Sequence, residues 1–192
     1  MYIIGVELSD NEIRANRERI IELIKSIPKR VNTHKLLYFL DHSGYYYLYG
    51  SFKHHTYKGG LAQHSLEVMD YALENNKTCS RESIILAALL HDLCKTKYEF
   101  PEGVEFHGHG TKSVAIIDEF IQYPLSEEEH NAIRYHMGSK SAIRTKEDEE
   151  KYAAARNSEL WELIHVGDCI SAGDYSRPMH KIVKNIITFG NL

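Results

Sequence analysis

The fold of this chain is decided by residues 84–95, which read IILAALLHDLCK. The first seven of these residues are apolar around the whole helix circumference, which is typical of a helix buried at the centre of a domain. This helix ends in His91 and Asp92, and such buried polar groups cost free energy unless they bind a partner. Both side chains can reach one ion at the helix end, with Lys95 one turn beyond His91. We therefore predict a central helix that ends at a metal site.

The rest of the chain predicts further helices around this one. Apolar residues recur at intervals of three and four, whereas alternating strand patterns are nearly absent. A capping box at Ser9 and Glu12 begins a first helix that Pro28 stops. Residues 144–151 form a charge run, expected as a solvated loop and helix start. Other helices are expected at about 33–40, 61–75, 111–122, 127–137, 158–171 and 178–189. We predict an all-α bundle with a short irregular or extended tyrosine-rich segment near residues 44–52.

Composition and charge limit the kinds of partner that this chain is expected to bind. The 192 residues are 43% hydrophobic and 26% charged, which is typical of a single globular domain. A formal net charge of −4 gives no global attraction for nucleic acid, so contact with a short single strand must be local. No apolar run is long enough to cross a membrane and no signal peptide begins the chain, which predicts no membrane partner and a cytoplasmic location. The three cysteines form no CxxC pair, which disfavours disulfides and a thiolate zinc site.

Twelve histidines exceed what packing requires, and several lie where they can converge. His64 lies on the inward face of its predicted helix, His109 begins the helix after Gly108, and His136 closes another. Asp168 lies in an apolar helix, where an unpaired charge is costly. Each histidine alone has the alternative of a hydrogen-bonded core residue. Together, imidazoles and carboxylates without thiolates suit a divalent ion, with Mn, Fe, Ni, Co or Mg as candidates and Zn less favoured.

This order of residues resembles the HD-domain metal-dependent phosphohydrolases over about residues 57–174. The segment GGLAQHSLEV at 59–68 is similar to the first-histidine segment of that family, and LHDLCK at 90–95 is similar to its His-Asp pair. The resemblance implies that one metal is held by four residues: His64, His91, Asp92 and Asp168.

Two further histidines are similar to positions found in dinuclear members of the family, including diadenosine tetraphosphate hydrolases. These are His109 and His136, and in those enzymes the paired aspartate bridges two ions, which implies that role for Asp92. The sequence is compatible with one metal or with two, and His107 is an alternative ligand to His109.

The resemblance implies one HD domain over 1–192, with an N-terminal helical extension of about 1–56 and a core of about 57–175. It also implies hydrolysis of a phosphate ester or anhydride in a nucleotide or short oligonucleotide by a metal-activated water. We expect Asp92 and Lys95 to be catalytic, with Lys95 holding the transferring phosphoryl group. The alternative is an inert HD fold that binds nucleotides or acts as a scaffold.

Candidates for substrate binding lie outside the expected metal ligands. His54 and His55 resemble a histidine pair that precedes the first ligand in small HD proteins, and they are expected to contact phosphate. Lys58, Arg134 and Arg177 are candidate phosphate contacts as well. The aromatic residues at 45–52 either stack on a nucleobase, or pack onto the core or form a surface between copies in a homo-oligomer.

Overall fold

Eight α-helices follow one another in the residues that the computed structural model describes, which are 7–100, 106–138 and 142–173. The helices are α1 (Asp10–Ser26), α2 (Thr33–His42), α3 (Gly60–Asn75), α4 (Arg81–Leu90), α5 (His109–Ala115), α6 (Glu127–Tyr135), α7 (Lys146–Arg156) and α8 (Glu159–Ser171). A 3₁₀ turn covers Leu93–Lys95, and a π-helical stretch at Ile116–Ile121 continues α5. The described residues contain no strand, so the all-α prediction is confirmed.

Side-chain caps fix where several helices begin. Ser9 and Glu12 form the predicted capping box of α1, and Ser126 with Glu129 does the same for α6. The charge run at 144–151 is mostly helix, because Thr145 and Asp148 cap α7 and its residues Tyr152 and Ala155 are buried. The helix expected at 178–189 lies outside the described residues.

Helix α4 occupies the centre of the fold, as its sequence predicts. All seven residues from Ile84 to Leu90 are buried, and α4 packs against α1, α3, α6 and α8. The burial of a helix on every side explains why its sequence is apolar on every side. The polar pair that follows α4 therefore lies inside the bundle, between neighbouring helices.

The tyrosine-rich segment consists of turns, which agrees with the irregular structure predicted for it. Tyr45 and Tyr46 are buried, and the Tyr45 hydroxyl donates a 2.8 Å hydrogen bond to the carbonyl of Leu89 at the end of α4. Tyr47 and Tyr49 are about half exposed. The segment thus divides into a packed half and a solvent-facing half.

None of the helices in the described ranges is both long and apolar enough to cross a membrane.

Candidate metal centre

The ends of four helices bring the predicted ligands together. His64 lies in the second turn of α3, and His91 and Asp92 directly follow α4. His136 directly follows α6, and Asp168 lies in the last turns of α8. All five side chains are buried, with at most 3% of each residue exposed. Groups this polar are rarely buried unless they bind a partner.

Four of these residues form one compact set of donor atoms. His64 Nε2 lies 3.2 Å from Asp168 Oδ1 and 3.5 Å from Asp92 Oδ2, and His91 Nε2 lies 3.3 Å from Asp92 Oδ2. One donor atom from each of the four lies within 4.8 Å of the other three. This is the set that the sequence analysis assigns to one ion.

Backbone carbonyls fix the proton of two of the imidazoles. His91 Nδ1 lies 2.7 Å from the carbonyl of Ala88, and His136 Nδ1 lies 2.7 Å from the carbonyl of Ile133. A carbonyl only accepts, so each Nδ1 carries the proton and donates it. In the neutral ring Nε2 is then left with its lone pair, and in both residues that atom faces Asp92. Metal-ligating histidines are held in this way in many proteins.

A side-chain relay holds the third imidazole. Ser171 Oγ donates to Glu67 Oε2 over 2.7 Å, so it accepts from His64 Nδ1 at 2.9 Å. The second Glu67 oxygen accepts from Gln63 Nε2. Glu67 thus fixes the His64 ring through Ser171 and leaves His64 Nε2 facing the two aspartates.

The donor atoms fit a cation better than they fit one another. The Nε2 atoms of His64 and His91 lie 3.3 Å apart, and their lone pairs repel unless a proton or metal lies between them. His136 Nε2 is buried without a hydrogen-bond partner. Asp92 Oδ2 also accepts no bond of good geometry, although Lys95 Nζ forms an ion pair with it at 2.5 Å. A divalent ion would satisfy these atoms, so the residues present fit the metal that the sequence predicts.

The electrostatics favour the protonation states that bind metal. Burial raises the pKa of Asp92, but His91 and Lys95 outweigh it and hold that pKa well below the usual range. Burial lowers the pKa of His136 to about 4, so its ring is neutral at pH 7. Burial also lowers the pKa of His91, but Asp92 outweighs it and the net shift is upward. A metal ion would therefore compete with a proton at His91 Nε2.

A cleft of about 570 Å³ opens onto this cluster. Asp92, Asp168, Lys95, His54 and His109 are among the residues that line it. The side chain of Lys95 is only 18% exposed, its ammonium group pairs with Asp92, and both residues line the cleft. The cleft thus joins carboxylates, imidazoles and a cation in one space that is open to a small anionic ligand.

The two histidines expected at a second ion both lie near Asp92. His136 Nε2 is 3.8 Å from Asp92 Oδ1. His109 is exposed at the start of α5, and one of its ring nitrogens lies within 4.8 Å of an Asp92 oxygen and of Cys94 Sγ. His107 is exposed and lines neither this cleft nor the smaller one described below. The two-metal site stays a prediction.

The neighbouring residues His54 and His55 make different contacts. His54 lines the cleft, and its ring centroid is 4.9 Å from that of His64. His55 does not line the cleft; its ring centroid is 5.2 Å from that of His64, and its Nε2 lies 2.9 Å from Glu67 Oε2. A ligand in the cleft could therefore reach His54, whereas His55 links the loop to α3. Contact of either histidine with phosphate stays a prediction.

Two of the predicted basic contacts are paired with carboxylates outside the cleft. Lys58 Nζ lies 2.7 Å from Asp10 Oδ1 on the surface, and an Arg134 nitrogen lies 2.8 Å from Asp148 Oδ1. Neither lines the cleft. Arg177 lies outside the described residues.

Three residues at the site were missed by the sequence reasoning. Glu67 and Ser171 form the relay to His64, and Lys112 lines a smaller cleft of about 240 Å³ that also includes Lys95 and His109. Each follows a predicted ligand by three positions on a helix and shares its face. The spacing from His64 to Glu67, from His109 to Lys112 and from Asp168 to Ser171 was the available signal.

Comparison with known proteins identifies the family. Neither the curated proteins nor the solved structures give a match. A family model described as HD domain matches residues 61–172, which is more than half of the chain. The matched span runs from the beginning of α3 to the end of α8 and contains every candidate metal ligand named above. The chain therefore belongs to the HD domain family, part of a superfamily of metal-dependent phosphohydrolases.

Proposed function

We propose that this chain is a metal-dependent hydrolase that cleaves a phosphate ester or anhydride in a nucleotide or a short oligonucleotide. The observation that carries the proposal is the buried cluster at Asp92. Imidazole lone pairs converge there on ionised carboxylates, and two buried polar atoms have no hydrogen-bond partner. Family membership supports a phosphate substrate.

The ligands of the first ion would be His64, His91, Asp92 and Asp168. In a two-metal site, His109 and His136 would join Asp92 at a second ion. A divalent ion supplies positive charge to phosphoryl oxygens and lowers the pKa of a water molecule toward neutrality. Neutral imidazoles and ionised carboxylates suit Mn, Fe, Ni or Co, and Mg is compatible with the carboxylates.

Lys95 would hold the phosphoryl group during the reaction. Its ammonium group contacts Asp92 Oδ2 at 2.5 Å, which fixes it near the metal ligands. Lys95 also lines the cleft, so a bound substrate could reach it. A fixed cation stabilises the negative charge that develops on phosphoryl oxygens in the transition state. His54, which lines the same cleft, and Lys112, which lines the smaller cleft with Lys95, would contact the remaining phosphate oxygens.

Metal analysis and a hydrolysis screen test the proposal. The purified protein is analysed for bound metal and then assayed with Mn²⁺ against nucleoside mono-, di- and triphosphates, dinucleoside polyphosphates and short single strands. We expect turnover of at least one class, and His91→Ala should lose both metal and turnover. Lys58→Ala is the matched control, because Lys58 is an exposed cation outside the cleft.

Nucleotide binding without turnover across several metals would contradict the proposal and favour an inert binding protein. Full turnover by His91→Ala would place the chemistry at another site.

A further inference from the structure

A tight turn before α3 presents an aromatic and a cationic side chain to solvent. The amide of Ser51 donates to the carbonyl of His54 at 3.1 Å, and Ser51 Oγ accepts from the amides of Lys53 and His54. Phe52 and Lys53 therefore lie at the tip of this turn, residues 51–54, which we call the aromatic turn. Its geometry is fixed by these bonds.

The base of the aromatic turn is held against α3. The amide of Gly50 donates to the carbonyl of His55 at 2.8 Å, and the His55 ring contacts Glu67 on α3. A Cβ atom at Gly60 would lie 2.1 Å from the His55 carbonyl oxygen, so only glycine permits this approach. Glu67 also supports His64 through Ser171. The turn and the metal ligand thus share one anchor.

Phe52 is exposed in a way that packing does not explain. It is 90% exposed, the highest value among the large apolar side chains in the described part of the chain. Tyr45 and Tyr46, in the same segment, are fully buried. Tyr49 contacts the Phe52 ring at a centroid distance of 5.4 Å, which limits the positions that the ring can adopt. The exposed ring is therefore available to a ligand that enters the neighbouring cleft.

The aromatic turn lies on the rim of the metal cleft. Ser51, Phe52, Lys53 and His54 all line the cleft that contains Asp92. A ligand with phosphate at the metals would therefore share one cleft with Phe52. An aromatic face accepts any nucleobase by stacking, and an adjacent cation suits a ligand that is anionic elsewhere.

We propose that Phe52 stacks on the base of the substrate, so that the substrate class is a nucleotide or a single-stranded end with a free base face. This inference rests on the proposed function, because it assumes that phosphate occupies the cleft. Stacking without base-edge hydrogen bonds predicts little preference among bases and weak binding of sugar phosphates that lack a base.

A tryptophan reporter tests the inference without relying on turnover. Phe52→Trp, loaded with Mn²⁺, is titrated with adenosine monophosphate, uridine monophosphate and ribose 5-phosphate while tryptophan emission is followed. We expect quenching by both nucleotides and none by ribose 5-phosphate. Tyr47→Trp is the matched control, since Tyr47 is 51% exposed and does not line the cleft. Phe52→Ala should weaken nucleotide binding roughly tenfold and leave ribose 5-phosphate binding unchanged.

Equal binding of nucleotides and ribose 5-phosphate, unchanged by Phe52→Ala, would overturn the inference even if phosphate esters are hydrolysed. It is also overturned if Phe52→Ala converts a dimer to a monomer in sedimentation without changing nucleotide affinity, because Phe52 then belongs to an interface between copies. Absence of hydrolysis in the wild-type protein, with base-dependent quenching still present, contradicts the proposed function and supports the base contact.

Discussion

Helices α4 and α6 lie side by side, and a buried polar cluster lies at each end of the pair. At their first turns, Ser83 Oγ of α4 donates to Glu129 Oε1 of α6, and Arg30 donates to both Glu129 oxygens at 2.6 and 2.8 Å. At their last turns, His91 and Asp92 follow α4 and His136 follows α6. The pair of helices α4 and α6 therefore has a buried carboxylate at each end, Glu129 at the first turns and Asp92 at the last turns.

The two clusters differ in how completely their atoms are satisfied. Both Glu129 oxygens accept several hydrogen bonds, including one from the amide of Ser126. Asp92 Oδ2 and His136 Nε2 lack hydrogen-bond partners, although Lys95 forms an ion pair with Asp92 Oδ2. A satisfied buried ion pair holds a fold in one arrangement, whereas unsatisfied acceptors that lie close together are satisfied when a cation binds. The first-turn cluster is therefore structural, whereas the last-turn cluster is suited to bind a ligand.

Asp92→Asn should separate activity from stability most strongly. The amide has the same shape as the carboxylate but no charge, so it cannot bridge metal ions as a carboxylate does. We expect metal retention to be lost and hydrolysis to fall by roughly a thousandfold, since the metal supplies several kcal/mol to the transition state. Urea unfolding of the metal-free protein should stay cooperative but show lower stability, because Lys95 and His91 lose the carboxylate with which they pair. Turnover is therefore compared per folded molecule. A cooperative fold that retains wild-type turnover would contradict the role of Asp92.

Arg30→Ala should have the opposite pattern. It leaves Glu129, which is fully buried, without its charge partner, and breaking a buried pair in this way costs about 3 to 5 kcal/mol. We expect a large fall in the free energy of unfolding measured in urea, while kcat and metal content per folded molecule stay at wild-type values. Lys58→Ala, which breaks the exposed pair with Asp10, should leave stability unchanged. If the two substitutions lower the free energy of unfolding equally, burial does not make the Arg30–Glu129 pair more important to stability than an exposed pair.

Local signals in the sequence predict most of the fold and the centre of the site. Capping boxes and the apolar run before His91 lie within a few positions of one another, so they are readable without the tertiary structure. Arg30 and Glu129 are separated by 99 positions, and no local pattern joins them. The pairing of Lys58 with Asp10 and of Arg134 with Asp148, which takes both cations out of the cleft, also depends on which surfaces meet in the fold.

Ser171→Ala removes a hydrogen bond at the metal-binding end of the helix pair without removing a metal ligand. The His64 ring then loses the acceptor at Nδ1, and its orientation is no longer fixed by Glu67. Loss of such a supporting bond lowers metal affinity by roughly tenfold to a hundredfold. Metal titration against a competing chelator measures the change, and Ser171→Thr, which keeps the hydroxyl, should restore part of the affinity. Unchanged affinity in Ser171→Ala would mean that the relay does not orient His64.

The smallest expected effect concerns Glu129, whose protonation at low pH should lower the free energy of unfolding. Burial raises the pKa of Glu129, but hydrogen bonds from Arg30, Ser126 and Ser83 outweigh it, and the net shift is below the ordinary value of 4.5. A carboxyl whose pKa is lower in the folded than in the unfolded state binds fewer protons when folded. Its stabilisation is therefore complete above about pH 4.5 and is lost as the pH falls through the folded value.

Urea unfolding of wild type and Glu129→Gln between pH 7 and pH 3 measures this contribution. The glutamine side chain does not titrate, so the variant should be less stable at pH 7, and its stability should fall less steeply than that of wild type below pH 4.5. Parallel curves would assign acid unfolding to the carboxylates at the other end of the helix pair. The pKa values of Asp92 and Asp168 are also lowered against the effect of burial, so these groups titrate in the same direction. Repeating the series with Asp92→Asn separates the two ends, because that variant removes an acid-sensitive group from the metal cluster and leaves Glu129 intact.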